Sequence, residues 1–440
     1  MQIQTGKTPI SLMTVCAILS ISLVVNLPGL AVTPMLGSLS EVFPRTTQLE
    51  KQLLTVLPNL LIIPFTLLSG KLSLTRHKIA IVVTGLVVFS ACAVFYLFAS
   101  TMWMLIVISC LLGCGAGLLI PFSSGLIADT FVGPYRMKEM GIKSGISNLA
   151  LVAATFAVGW LSHGSWHLPF VVYLVALIPL ALSFGLRGIP SSDLEYSDGH
   201  ASAAAPAATA TAAAAATPGA AVTAPRPSGP LPPPHAPASP DVRNGFYVKR
   251  IWALISVYAF ITFSTIAMTY YCPFLIEKKG WSSSLTGTIT SVFYLFMFIP
   301  GFTLPWFVKI LRGGSFVWCA AFMTVGMALF AFFPNDWSMI VGAALCGLGY
   351  GICQPLIYDK ASRAVTSDNK ATLALAFVLS SNYLAIVLTP FIIDGLRDIF
   401  HAHSMGTFAF TVCFVLLVAY TVVAWLLRHK FAFAIKKDYY

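Results

Sequence analysis

The sequence predicts an all-α polytopic membrane protein with twelve transmembrane helices in two pseudo-symmetric six-helix bundles, and three observations predict it. Of its 440 residues 58% are hydrophobic and 9% are Asp, Glu, Lys or Arg, with a mean hydropathy of +0.85, whereas soluble domains carry about 25% charged residues. The apolar residues gather in runs of about 20, the length an α-helix needs to cross a hydrocarbon layer, rather than in the alternating segments of about 10 that build a β-barrel. The two halves also repeat each other.

The runs, bounded by Gly, Pro and charged residues, place spans at 11–33, 53–72, 79–98, 102–125, 140–162 and 168–188, then at 250–273, 285–309, 314–334, 337–360, 371–395 and 405–428. The first run lacks a small-residue cleavage site and counts as a retained helix rather than a signal peptide. An even number of spans returns both termini to one side. Assigning the loops alternately puts 21 of the 26 basic residues on that side, leaving Arg45, Lys51, Lys278, Lys279 and Arg397 on the other. The positive-inside rule therefore predicts cytoplasmic termini and, for a bacterial chain, the inner membrane. The net charge of +11 is thus spread over many short loops, which argues against a nucleic-acid groove; the expected surroundings are the lipid bilayer and a small-molecule substrate, with the chain a monomer.

Residues 201–240 hold 17 Ala and 10 Pro, with Arg226 as the one charge. Such a composition offers too little bulky apolar surface to fold. The expected domains are a bundle at 1–189, a flexible Ala/Pro-rich cytoplasmic linker at 190–248, a second bundle at 249–428 and a cytoplasmic tail at 429–440. The nine cysteines fall inside apolar segments without metal-ligand spacing, so they read as small packing residues, and neither a metal nor another cofactor is expected.

In register, Trp103, Gly113, Gly115, Gly117, Pro121, Ser147 and Asn148 recur as Trp337, Gly347, Gly349, Gly351, Pro355, Ser381 and Asn382, every pair 234 positions apart. Upstream, Pro64 and Arg76 match Pro300 and Arg312 at 236, and Pro34 matches Pro273 at 239. A Gly-x-Gly-x-Gly-x-x-x-Pro pattern kept at a single offset is the mark of a duplicated membrane bundle. Gly113, Gly117 and Pro121, like Gly347, Gly351 and Pro355, repeat every four residues on one helix face and read as sites of close helix packing.

This arrangement resembles the major facilitator superfamily, and most nearly its bacterial twelve-span drug/proton antiporters. Their loop between spans 2 and 3 follows a Gly-x-Leu-x-Asp-Arg-x-Gly-Arg-Lys type pattern; here Gly70, Leu72, Arg76 and Lys78 match, while Leu74 stands in the place of the Asp. The resemblance implies a conformational gate from Gly70, Arg76 and Lys78, with Asp129 at the end of span 4 as the acid left to pair with Arg76. Arg312, Asp359 and Arg363 are candidates for the matching gate in the second half, although Asp359 and Arg363, four apart, also form an ordinary intrahelical pair. Ser109, four residues before Gly113, replaces an Arg that the antiporters carry in span 4. That departure weakens the expectation of coupling to a proton gradient.

The resemblance further implies a central cavity lined by spans 1, 4, 7 and 10, with 2, 5, 8 and 11 beside them. Polar residues three or four apart share a helix face, and such stripes occur on these spans: Ser22, Asn26, Gly29 and Thr33; Thr55, Asn59 and Thr66; Tyr258, Thr262, Thr265 and Thr269; Tyr350, Gln354 and Tyr358. The candidate substrate-binding residues are Ser22, Asn26, Asn59, Phe122, Asn148, Tyr258, Thr262, Thr265, Met268, Tyr294, Gln354, Tyr358 and Asn382. Each alone also suits interhelical hydrogen bonding. The middle third of every span reads as free of ionisable residues, so the cavity is expected to be amphipathic and uncharged. The cluster Arg136, Lys138 and Glu139 reads as a solvated loop.

Nothing resembles a nucleotide-binding loop, a metal cluster or a hydrolytic triad, and no catalytic residue is expected. The reading is a secondary transporter exporting neutral or amphipathic organic compounds by alternating access. Two alternatives stay open: an importer or facilitator of a small neutral solute such as a sugar or nucleoside, and a membrane sensor that keeps the fold without transporting.

Overall fold

The computed structural model describes residues 2–6, 9–28, 43, 48–74, 78–161, 166–188, 242–243, 245–281, 283–367, 370–402 and 406–435. The first half contains α1 (Leu12–Ser20), α2 (Gln48–Leu72), α3 (Lys78–Leu97), α4 (Met102–Thr130), α5 (Gly133–Leu161) and α6 (Leu177–Leu182). The second contains α7 (Val248–Lys278), α8 (Ser283–Leu311), α9 (Ser315–Phe332), α10 (Asp336–Ser362), α11 (Ala371–Ile399) and α12 (Phe408–Leu426). A 3-10 turn, Ile21–Leu23, extends α1, and 3-10 segments Leu168–Ala176 and Ser183–Gly188 flank α6. Among the described residues nine segments have the length and hydropathy to cross a membrane, and one of them, Leu285–Phe332, runs through both α8 and α9. Leu12–Leu23 and Val56–Leu72 are apolar but shorter. The Ala/Pro-rich segment lies outside the described residues up to 241.

Repetition in sequence becomes repetition in local structure. Thr101 Oγ1 accepts from the Met104 amide at 3.3 Å and Asn335 Oδ1 from the Ser338 amide at 2.9 Å, so α4 and α10 start with equivalent caps that satisfy an otherwise orphaned N–H. Just inside, Trp103 and Trp337 are 63% and 79% exposed, two indoles at the same end of the bundle, where a headgroup layer favours them. Gly113 and Gly117 lay α4 against α2: an added Cβ would stand 2.6 Å from Pro58 O and 2.6 Å from Phe65 Cβ respectively. Gly347 and Gly351 bring α10 equally close to the carbonyls of Phe293 and Met297 on α8. Pro121 and Pro355 are buried within the same two helices.

The halves meet along α2 with α11 and α5 with α8, and α4 with α11 and α5 with α10 complete the seam. Glycines again set the distance. A Cβ on Gly70 would fall on Ala376, one on Gly125 on Thr372, and one on Gly141 would lie 2.7 Å from Gly301 O. Gly70 and Gly125 stand near the end of the bundle where α4 finishes and α5 starts, called here the basic end.

Two differences from the sequence reading bear on the site and on the repeat. Span 4 was expected to stop at 125 and span 5 to begin at 140, yet α4 continues to Thr130 and α5 starts at Gly133, whose φ of +57° permits the abrupt reversal. Arg136 and Glu139, expected in a solvated loop, are therefore buried on α5. Hydropathy penalises a charge whether or not the protein satisfies it; here Arg136 Nε donates to Phe131 O at 2.7 Å and its Nη1 to Ser362 Oγ at 3.3 Å.

The second difference is at the entry to each half. Strands β1 (Gln2–Ile3) and β2 (Ile10–Ser11) pair, and so do β3 (Val242–Arg243) and β4 (Phe246–Tyr247), within residues the sequence reading gave to the linker. Gly6 and Gly245 share a φ of +82°. Thr5 O accepts from the Val132 amide and Gly245 O from the Thr366 amide, both at 3.0 Å. Each half thus opens with a hairpin bound to the link between its fourth and fifth helices. Two-residue strands leave no hydropathy signal, which is why the repeat was traced only through the spans.

Candidate functional site

Six side chains from α7, α10 and α11 form two neighbouring hydrogen-bonded groups of three in the second half, with the Tyr258 and Tyr350 ring centres 6.5 Å apart between them. The hydroxyls of Tyr258 and Tyr358 lie 2.8 Å apart, and Gln354 Nε2 donates to the Tyr258 oxygen at 3.2 Å. Thr262 donates to Asn382 Oδ1 at 2.7 Å, Tyr350 donates to the same oxygen at 3.2 Å, and the Thr262 and Tyr350 hydroxyls are 3.4 Å apart. All six side chains are buried. Fourfold spacing explains the convergence: 258 and 262 share a face of α7, and 350, 354 and 358 share one of α10.

In the first half, Asn26 Nδ2 donates to Asn148 Oδ1 at 3.2 Å, and Ser147 Oγ donates to Ser22 O at 2.9 Å. Hydrogen bonds then cross the seam. Ser144 Oγ on α5 donates to Gln354 Oε1 on α10 at 2.6 Å, Asn148 Nδ2 to Met297 O on α8 at 3.4 Å, and Tyr383 OH on α11 to Val25 O at 3.4 Å.

Lys143 overturns the expected absence of charge. At about 1.5 Å per residue its Cα is roughly 15 Å along α5 from the basic end, its side chain is 1% exposed, and its ammonium stands 4.4 Å from the centre of the Tyr358 ring. No carboxylate or hydrogen-bond acceptor reaches that ammonium among the described residues. Burying an ammonium costs several kcal/mol. A cation–π contact returns about 0.5–2 kcal/mol, so Tyr358 alone leaves the charge under-compensated. Among the described residues the core between the halves is polar and carries this lysine, not the charge-free lining the sequence suggested; Lys143 stands three residues into the span expected at 140–162 and counted there with the basic residues of the cytoplasmic side.

At the basic end, Lys78 Nζ meets Asp129 Oδ2 at 2.8 Å, with both residues buried. The pairing of Asp129 with Arg76 anticipated from the sequence falls on residue 76, outside the described residues; the lysine two positions on holds the carboxylate. Arg363 reaches Asp359 Oδ1 through Nη2 at 3.0 Å and Nε at 3.2 Å. Arg312 sits in a turn with φ of +50° and makes no ion pair among the described residues, so the structure gives it no gate contact with Asp359.

The family model described as Major Facilitator Superfamily matches residues 10–390 and 252–434. The chain belongs to the major facilitator superfamily. It is also 30% identical over 162 residues to the Multidrug transporter protein MdtP of Bacillus subtilis (strain 168), a match over 37% of this chain that spans only 29% of that relative's length. Among solved structures it resembles the proton:xylose symporter XylE bound to 6-bromo-6-deoxy-D-glucose, with a TM-score of 0.65, 13% identity and coverage of 94% of this chain and 95% of that one. The human organic anion transporter MFSD10 (TETRAN) gives a TM-score of 0.65 at 13% identity, covering 93% and 97%. At that identity the two structures speak for the fold alone.

Members of this superfamily are transporters rather than enzymes, and bind small molecules within the membrane. Tyr258, Thr262, Gln354, Tyr358 and Asn382 lie in the second-half hydrogen bonds, and Asn26 and Asn148 pair in the first half, where Ser22 takes part only through its backbone carbonyl and its buried hydroxyl has no partner among the described residues. Thr265 instead donates to Ile261 O of its own helix at 2.8 Å. Asn59, Phe122, Met268 and Tyr294 are buried on α2, α4, α7 and α8; Gly29 and Thr33 lie outside the described residues. The residues missed, Lys143 and Ser144, carried a signal after all: with Ser147 and Asn148 they make two i, i+4 polar pairs on a helix otherwise apolar at this depth.

Proposed function

We propose that this protein is a secondary transporter that exports amphipathic organic compounds from the cytoplasm by alternating access, as a monomer in the inner membrane with the basic end facing the cytoplasm. The observation that carries this reading is the kind of polar contact that joins the halves: neutral hydrogen bonds in the core, with the ion pairs kept inside single halves. Glycines bring helices to backbone contact within each half, α4 to α2 and α10 to α8, and across the seam as well, where Gly141 and Gly145 face Gly301. Across the seam the polar core is joined by single neutral hydrogen bonds, two of them 3.4 Å long, and the basic end by one from the Arg136 guanidinium to Ser362. A neutral hydrogen bond contributes a net of about 0.5–1.5 kcal/mol, so these contacts break and reform at modest cost while the bundles stay rigid. The ion pairs Lys78–Asp129 and Asp359–Arg363 lie within single halves, which suits bundles that rock as units.

The likeness to a protein named a multidrug transporter supports organic substrates and export, although it covers a minor part of that protein. Uptake of a small hydroxylated solute is the competing reading, favoured by the amides of Asn26, Asn148, Gln354 and Asn382 in the core. Reconstituted protein loaded with unlabelled compound should accumulate labelled compound by counterflow, and expressing cells should survive lipophilic toxins better than controls. Counterflow without any resistance would favour uptake. Repeating the assay across imposed pH gradients tests proton coupling, which an unchanged rate contradicts.

A further inference from the structure

We propose that Lys143 is an anion-binding residue of the central site, and that the transported compounds are amphipathic organic anions, each a carboxylate or sulfonate joined to an apolar ring system. This rests on the transporter reading and narrows its substrate class. The lysine is buried, and among the described residues its one close partner is the face of Tyr358. Glu139, four residues earlier on α5, makes no ion pair with it, while Asp129 and Asp359 are engaged by Lys78 and Arg363. A buried ammonium without a resident counter-ion is satisfied by an anion that comes and goes.

The surroundings suit such a ligand. Ser144, next in sequence to Lys143, starts a hydrogen-bonded chain through Gln354 and Tyr258 to Tyr358, whose ring the ammonium faces; these donors can turn to an anion, and charge-assisted hydrogen bonds are roughly twice as strong as neutral ones. Lys143 belongs to the first half and Tyr358 to the second. An anion held there therefore touches both bundles, and it gains or loses contacts as they separate, the differential interaction a ligand needs to shift a conformational equilibrium.

The test uses the full chain in lipid nanodiscs and two fluorescent probes with one scaffold: 8-anilinonaphthalene-1-sulfonate and its uncharged parent N-phenyl-1-naphthylamine. The native protein is expected to bind the sulfonate saturably. Lys143→Gln should lower the ratio of sulfonate to parent affinity at least tenfold, whereas Lys143→Arg holds it within threefold. An unchanged ratio in Lys143→Gln, or no saturable sulfonate binding to the native protein, overturns the proposal. If Lys143→Gln does not fold, salt titration of the native protein decides: 0.5 M NaCl should weaken the sulfonate at least threefold more than the parent, and an equal response overturns it. Counterflow of the parent in proteoliposomes separates the two levels: with it present, a failed ratio test removes the anion site alone, and without counterflow of either probe the transporter reading falls too.

Discussion

Asn382 accepts hydrogen bonds from Thr262 and Tyr350 at once, so its amide oxygen holds α7, α10 and α11 in one arrangement. Replacing it with Ala leaves two buried hydroxyls short of an acceptor, a loss of roughly 1–3 kcal/mol. Asn382→Ala is expected to weaken substrate binding about tenfold, the equivalent of about 1.4 kcal/mol, with the protein still inserted and monodisperse; equal loss of folded protein would mark the residue as interhelical glue. At this scale the polar network was legible from i, i+4 spacing, because Tyr350, Gln354 and Tyr358 must share a helix face. Lys143 was not, since a hydropathy window counts its charge against the span and cannot see the ring of Tyr358 arriving from α10.

Helix pairs obey the repeat more strictly than single residues do. The positions of Gly113 and Gly117 against α2, and of Gly347 and Gly351 against α8, recur because bilayer helices attract through close packing rather than through exclusion of water. Gly113→Leu should therefore lower the melting temperature and the yield of folded protein, overpacking costing about 1–3 kcal/mol or more where backbone is the obstacle. Gly395→Ala, on α11 with open space beside it, should leave both unchanged. The Lys78–Asp129 pair joins the start of α3 to the end of α4, and removing one partner of a buried pair costs about 3–5 kcal/mol. Lys78→Met is thus expected to destabilise the first half, and Asp129→Asn in the same chain to recover part of the loss, as chemical denaturation would show. The sequence marked Asp129 as the acid at this end; Arg76, its expected partner, lies outside the described residues, and Lys78 two positions on pairs with it.

On the scale of the whole molecule, composition excluded a water-soluble fold, runs of about 20 apolar residues selected helices over a barrel, and the offset of 234 marked two repeated bundles. They did not give the entry hairpins or the seam, which depend on contacts between residues far apart in the chain. The central claim is that the two bundles close at the basic end and part there during transport. Spin labels on Leu74→Cys, after α2, and Thr366→Cys, between α10 and α11, measure that separation by pulsed electron–electron resonance, with the accessible native cysteines replaced by Ser. Two distances are expected whose populations shift when a transported compound is added. One distance, unchanged by the compound in a preparation that still performs counterflow, would contradict the claim.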